Sequence, residues 1–373
     1  MKLKIELHEI GINYSGLLCS SNFYSDVYPK IHRTQKGDVW IDSPNVRLTF
    51  EEFVDRGQYG ALAICTRQQI MDGKALEPEY VFAKIPARPL LAKDSLLWEA
   101  CVQIIIRKTL QNAGIPNGAP RVRDIFEMTD GTIGYTMDII MGAKSFDSLL
   151  KETGEADFPR LIVEGIFQVA SMISILEREL GFNHRDLRAA NLLCRSIGDG
   201  GGGGGSSAVT VGDSNNIVVW EELSEAGSKN SFRRFEITVQ PTLEFTLIDF
   251  SFTCFGNCKD CGSFRLNGHV YNPLDPCPKP GRDMFMFLAF LFAEFGDKIR
   301  YELRRLFKKW LHRGYGIDLP LTVAKPGRGL YAYLKKNGLR GDKWIYHVAG
   351  NKKLRAIANT NAAKVVADLH SIL

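Results

Sequence analysis

Long hydrophobic runs are missing from this 373-residue chain. A bilayer-spanning helix takes about 20 consecutive apolar residues. The strongest apolar run, Met284 to Phe292, is far shorter, so it reads as a core helix and no membrane association is expected. No internal repeat is visible, which excludes a repeat array. Charge of one sign is not in excess: 47 Lys and Arg against 42 Asp and Glu leave a formal +5. That is too mild to require nucleic acid as a partner. The N-terminus, Met1-Lys2-Leu3-Lys4-Ile5-Glu6, alternates charged and apolar residues, unlike a secretory signal. Cysteine is sparse and uneven. Of eight, half lie between Cys254 and Cys277, and Cys19, Cys65, Cys101 and Cys194 read as buried apolar residues.

What is present begins with the string His184-Arg185-Asp186-Leu187-Arg188-Ala189-Ala190-Asn191, a carboxylate, a cation and an amide in fixed order. Upstream, Tyr80 to Ile85 is a short apolar run with one embedded lysine, Lys84, bounded by Pro78-Glu79 and Pro86, and it reads as a strand. From about Asp94 to Gly114 the pattern predicts a helix, with Gly114-Ile115-Pro116 as its stop and Glu99 as its single glutamate. Asp55 to Leu62, with Gly57 and Gly60, forms a glycine-containing turn between two β-like stretches. Thr132 to Gly142 reads as a strand entering a linker. After Asp157, a plausible N-cap, apolar residues at Ile162, Ile166, Val169, Ile173, Leu176 and Leu180 predict an amphipathic helix leading to His184. Downstream, Phe245 to Ile248 is strand-like and Asp249-Phe250-Ser251 follows it.

In this order the segments resemble the eukaryotic-type protein kinase family, from about Val46 to the C-terminus. The resemblance implies an α+β, bilobal protein-kinase-like fold: a β-rich N-lobe over 46–141 and a mostly helical C-lobe over 142–373, with residues 1–45 packed on the N-lobe. It implies ATP and Mg2+ as cofactors and a protein hydroxyl as acceptor. Asp186 would take the proton of that hydroxyl, and Lys84, held by Glu99, would grip the phosphates. Asn191 and Asp249 would bind magnesium, and Arg185 would be available to a phosphorylated residue downstream. Gly57 and Gly60 would let the backbone approach the phosphates. Leu62 and Ala83 would touch the adenine, Met137 would stand behind it, and Asp138 to Ile140 would form the hinge. Asp283, opening the Met284 helix, would hydrogen-bond the backbone of the catalytic loop.

The chain also departs from the family. Asp55 replaces the first glycine of the phosphate loop, and Ser251 replaces the glycine of the D-F-G triplet, which predicts a less mobile triplet. An insert spans 197–245. It contains a run of six glycines, expected to be flexible, and then the strand-like Ile217-Val218-Val219-Trp220 and Phe232 to Val239, read as an extended hairpin. No Ala-Pro-Glu closes the activation segment, although Ser251, Thr253 and Ser263 supply hydroxyls there. Instead Cys254, Cys258, Cys261, His269 and Cys277 follow, read as reduced thiols or as a possible Zn2+ site of unfamiliar spacing. The helix from about Lys298 to Arg313 carries Arg304, Arg305, Lys308 and Lys309 on one basic face. Arg188 and Ala190 resemble the loop of Src-type tyrosine kinases, whereas the insert and the missing Ala-Pro-Glu resemble haspin and kinases of large DNA viruses. Serine/threonine transfer is favoured. Tyrosine transfer, a catalytically silent scaffold and a small-molecule kinase of the aminoglycoside or choline type are the alternatives. Cysteine usage and ATP chemistry point to the cytoplasm or nucleus.

Overall fold

The computed structural model describes residues 6–7, 12–13, 30–31, 39–42, 45–56, 60–87, 95–128, 133–197, 215–223, 231–239, 242–258, 262–266, 278–311, 343–350 and 360–370. These form an α+β chain with largely antiparallel sheets. Two compact units are distinct: Met1–Lys108 with Ala119–Met141 and Cys258–Gly262, and Thr109–Gly118 with Gly142–Asn257 and Ser263–Leu373.

The first unit is built on an eight-stranded sheet. A separate short pair, β1 (Glu6–Leu7) with β2 (Ile12–Asn13), precedes it. Its strands are β3 (Lys30–Ile31), β4 (Val39–Asp42), β5 (Val46–Arg56), β6 (Gly60–Met71), β7 (Lys74–Ala75), β8 (Glu79–Pro86), β9 (Val122–Met128) and β10 (Ile133–Asp138). They run in the order β3-β9-β10-β8-β6-β5-β4, with β7 paired to β6. Two pieces of the N-terminal extension thus join opposite edges of this sheet, β3 parallel to β9 and β4 antiparallel to β5. Side chains alternate between the two faces of a strand. Ala61, Ala63 and Cys65 of β6 and Val81, Ala83 and Ile85 of β8 are buried with Leu48, Phe50 and Phe126 in one apolar cluster. The opposite face carries Leu62 and Lys84, which are direct partners across β6 and β8, and Tyr135, which faces Lys84 from β10. After β8 comes helix α1 (Ser95–Asn112), close to the expected span.

The second unit is organised by helices α2 (Phe146–Glu152), α3 (Phe158–Leu180), α4 (Arg282–Phe295), α5 (Tyr301–Leu311), α6 (Lys343–Gly350) and α7 (Ala362–His370). Asp157 stands at the start of α3 as expected, but its side chain makes no capping bond; Pro159 in the first turn pre-sets the backbone instead. Gly181 ends the helix in the left-handed conformation at φ 56°, returning its N–H to Glu177 O. At 23 residues α3 is long and apolar enough to cross a membrane by length and composition, which corrects the expectation that no segment would be. Its apolar face is buried: Ile162, Ile166, Val169, Ile173 and Leu176 are all inaccessible to solvent. Gly165 lets the Phe146 ring lie against the helix, since a Cβ there would stand 2.4 Å from Phe146 Cζ. Helix α4 is buried on all sides along the run Met284 to Phe292, the pattern of a core helix.

Strands β11 (Lys144–Ser145), β13 (Leu192–Ser196) and β16 (Leu243–Leu247) form one small sheet, and β12 (Phe182–Asn183), β17 (Cys254–Cys258) and β18 (Gly262–Arg265) another. The insert does form the expected hairpin: β14 (Asn215–Leu223) pairs antiparallel with β15 (Ser231–Val239), from Asn215 opposite Val239 to Leu223 opposite Ser231. The glycine run lies outside the described residues.

Candidate active site

In the first unit, Lys84 and Glu99 form an ion pair, Nζ to Oε1 at 2.6 Å, with the lysine side chain 15% and the glutamate 3% exposed. Strand alternation aims Lys84 away from the apolar cluster. Helix α1 brings Glu99 to it, and the Tyr135 hydroxyl stands 3.4 Å from the same carboxylate oxygen. A carboxylate this enclosed needs such partners, because a lone buried charge is costly. A Cβ at Gly60 would meet Lys84 Cε at 3.0 Å, so a side chain there would press on the lysine. Leu62 shares the lysine's face, as expected of an adenine contact. Ala83 does not. It is fully buried on the other face, and alternation puts Phe82 beside Lys84 in its place. Met137 pairs with Phe82 and takes a 3.6 Å contact from Gln103 Nε2 at its sulfur. The Asp138 carboxylate is bonded by Arg123 Nε, and Ile140 follows the end of β10. Gly57 lies outside the described residues.

In the second unit the octapeptide bridges β12 and β13 and is held from below by Asp283. The Asp283 carboxylate accepts from His184 N at 2.7 Å, Arg185 N at 2.9 Å and Asn183 Nδ2 at 3.3 Å. Asn183 and Lys279 exchange two further bonds, Lys279 N to Asn183 Oδ1 at 2.7 Å and Asn183 Nδ2 to Lys279 O at 3.1 Å. His184 Nε2 lies 3.0 Å from Ile248 O, tying the loop to the strand before Asp249. These bonds hold Arg185 at φ 69°, a left-handed conformation that costs a non-glycine residue about 1 kcal/mol or more. Arg185 is wholly buried.

Asp186 is nearly enclosed. Its Oδ2 accepts from Asn191 Nδ2 at 3.0 Å, and the same amide donates to Asp186 O at 2.8 Å. Both donations orient the Asn191 amide and leave its oxygen for a ligand. The pairing of Leu192 with Leu247, with Ile248 N donating to Asn191 O at 3.1 Å, places Asn191 opposite Ile248, the residue before Asp249, at matching strand ends. Asp249 has φ 61°, again left-handed, and its carboxylate accepts from Ser251 Oγ. An amide oxygen and a carboxylate carried on paired strand ends are hard-oxygen donors of the kind that suits Mg2+. Among the described residues no cluster of His, Cys, Asp and Glu would cage a metal alone. Magnesium commonly keeps waters and phosphate oxygens in its shell, so an open set fits it.

Sequence reasoning missed two participants. Tyr346, on α6, donates its hydroxyl to Asp186 Oδ1 at 2.5 Å; it lies 160 residues from that aspartate and no motif marks it. Glu177, on the last turn of α3, is pushed up to about 8 by burial first and by the Asp283 carboxylate second, against a bond from Gly281 N. Its place near the end of α3, a few residues before the octapeptide, was the available signal.

Cys65, Cys101 and Cys194 are buried thiols outside any disulfide, and burial pushes the thiols of Cys65 and Cys101 up to about 12. Cys254 is disulfide-bonded, so it stands neither as a reduced thiol nor as a thiolate for zinc. The side chains of Cys258, Cys261 and Cys277, the other expected ligands, and Cys19 lie outside the described residues. No protein-family model and no curated protein matches this chain.

Proposed function

We propose that this chain is a protein kinase of bilobal fold, transferring the γ-phosphate of ATP to a protein hydroxyl, with serine or threonine as the favoured acceptor. The observation that carries the reading is the Asp186 arrangement. Asp186, the base in this reading, is bonded by Asn191, Asp283 clasps the two backbone N–H groups just before it, those of His184 and Arg185, and the strand ends that carry Asn191 and Asp249 are paired. The enclosed Lys84–Glu99 pair supports it independently.

In this reading Asp186 orients the acceptor hydroxyl and takes its proton as the new O–P bond forms. Lys84, kept in place by Glu99, binds phosphate oxygens. Asn191 and Asp249 would hold magnesium, which supplies positive charge against the transferring phosphoryl group. The contribution of the protein is positioning and electrostatic stabilisation, and the strained φ values of Arg185 and Asp249 fit a preorganised site.

A catalytically silent scaffold has one observation in its favour: Ser251 bonds the Asp249 carboxylate that magnesium would use. Labelled ATP with magnesium, a mixed protein panel and phosphoamino-acid analysis decide between the two. The kinase reading predicts label on serine or threonine that falls sharply in Lys84→Met. Absence of label on every protein, despite measurable ATP binding, would favour the scaffold or a small-molecule acceptor.

A further inference from the structure

The Tyr346 hydroxyl occupies the one carboxylate oxygen of Asp186 that Asn191 leaves. Oδ2 is bonded by Asn191 at 3.0 Å, and Oδ1 accepts from Tyr346 at 2.5 Å with Arg188 Nε 3.9 Å away. Only 11% of the Asp186 side chain is exposed, so little of the carboxylate remains for another donor. The phenol is not held loosely. Its ring packs edge-on against Phe290 at 5.3 Å, and Ile345, Val348 and Ala349 of the same helix are buried. Lys279 Nζ, itself buried, donates to Ala349 O at 2.5 Å and fastens the end of α6.

We propose that Tyr346 is an intrinsic competitor for the acceptor: it makes with Asp186 the hydrogen bond that a substrate hydroxyl must make, and a protein substrate has to displace it. This inference rests on the reading of Asp186 as the base of a protein kinase. A hydroxyl donating to the base is the arrangement an acceptor needs before proton transfer, and here the protein satisfies it with its own side chain. A hydrogen bond to a charged group is among the stronger ones. Removing the competitor should therefore be felt in acceptor binding and not in nucleotide binding.

The test is initial-rate kinetics with labelled ATP, magnesium and casein or histone as acceptor, for wild type, Tyr346→Phe and Asp186→Asn. Phenylalanine keeps the ring against Phe290 and removes only the hydroxyl. The expected result is an acceptor KM lowered about tenfold in Tyr346→Phe, with the KM for ATP unchanged. An unchanged or raised acceptor KM, or a lower kcat, would overturn the inference while leaving the kinase reading standing. If neither wild type nor Tyr346→Phe transfers phosphate, the kinase reading itself fails and the inference falls with it. Should thermal melting show Tyr346→Phe unfolded, Lys279→Met loosens α6 without touching Asp186. It is expected to lower the acceptor KM as well, and no change there would overturn the proposal.

Discussion

Glutamine in place of Glu177 should make the protein more stable at neutral pH and remove part of its pH dependence. The Glu177 carboxyl is raised from 4.5 to about 8, chiefly by burial and secondly by Asp283. Below 4.5 the group is protonated in folded and unfolded chains alike and contributes no difference. Between 4.5 and 8 the unfolded chain releases a proton that the folded chain keeps, so stability falls as pH rises; above 8 the loss levels off. Each tenfold in proton affinity is worth about 1.4 kcal/mol, which puts the cost at pH 7 at ~3 kcal/mol. Glutamine keeps an oxygen for Gly281 N, from which Glu177 now accepts at 2.8 Å, and cannot ionise. Urea unfolding of wild type and Glu177→Gln at acid, neutral and mildly alkaline pH measures this. The two should be nearly equal at the acid end and diverge in favour of the variant as pH rises. Parallel curves, or a variant that is weaker throughout, would refute the reasoning.

Further changes probe other parts. Asp283→Ala strips acceptors from His184 N, Arg185 N and Asn183 Nδ2; a loss of about 3 kcal/mol or more in urea unfolding is expected, together with loss of phosphate transfer. Glu99→Ala removes the 2.6 Å partner of Lys84 and should lower kcat/KM for ATP by roughly 10- to 100-fold, or about 1.4–3 kcal/mol, with far-UV circular dichroism unchanged. Gly165→Ala would ordinarily gain up to about 1 kcal/mol in a helix interior. Here the new Cβ would meet Phe146 Cζ at 2.4 Å, and a calorimetric melting temperature lower than wild type is the expected outcome, at a cost of about 1–3 kcal/mol.

Much of the arrangement could be read from residues. Strand β8, helix α1, the α3 period and the insert hairpin each carry a local signal, and the order of Lys84, Glu99, Asp186, Asn191 and Asp249 carries the resemblance on which the proposed function rests. Local signals were misleading where a face had to be assigned. The apolar run Tyr80 to Ile85 does not say which residues share the lysine's side: Ala83, expected on that side, lies in the apolar cluster, and alternation puts Phe82 on the face of Lys84. The Asp157 position was right, yet the bond expected of its side chain is not made, because proline already shapes that turn. Tyr346 was beyond reach. Its role depends on α6 packing on α4, a long-range contact that leaves no spacing in the sequence.

Phosphate transfer from γ-labelled ATP with magnesium, measured for wild type and Asp186→Asn alongside the nucleotide Kd of each, bears most directly on the role of Asp186. Asparagine preserves the shape but cannot take the acceptor proton, and its single oxygen replaces only one of the two acceptors that Asn191 and Tyr346 use. Turnover should fall by about 10²- to 10⁴-fold, with the nucleotide Kd nearly unchanged. Undiminished transfer by Asp186→Asn would contradict the account.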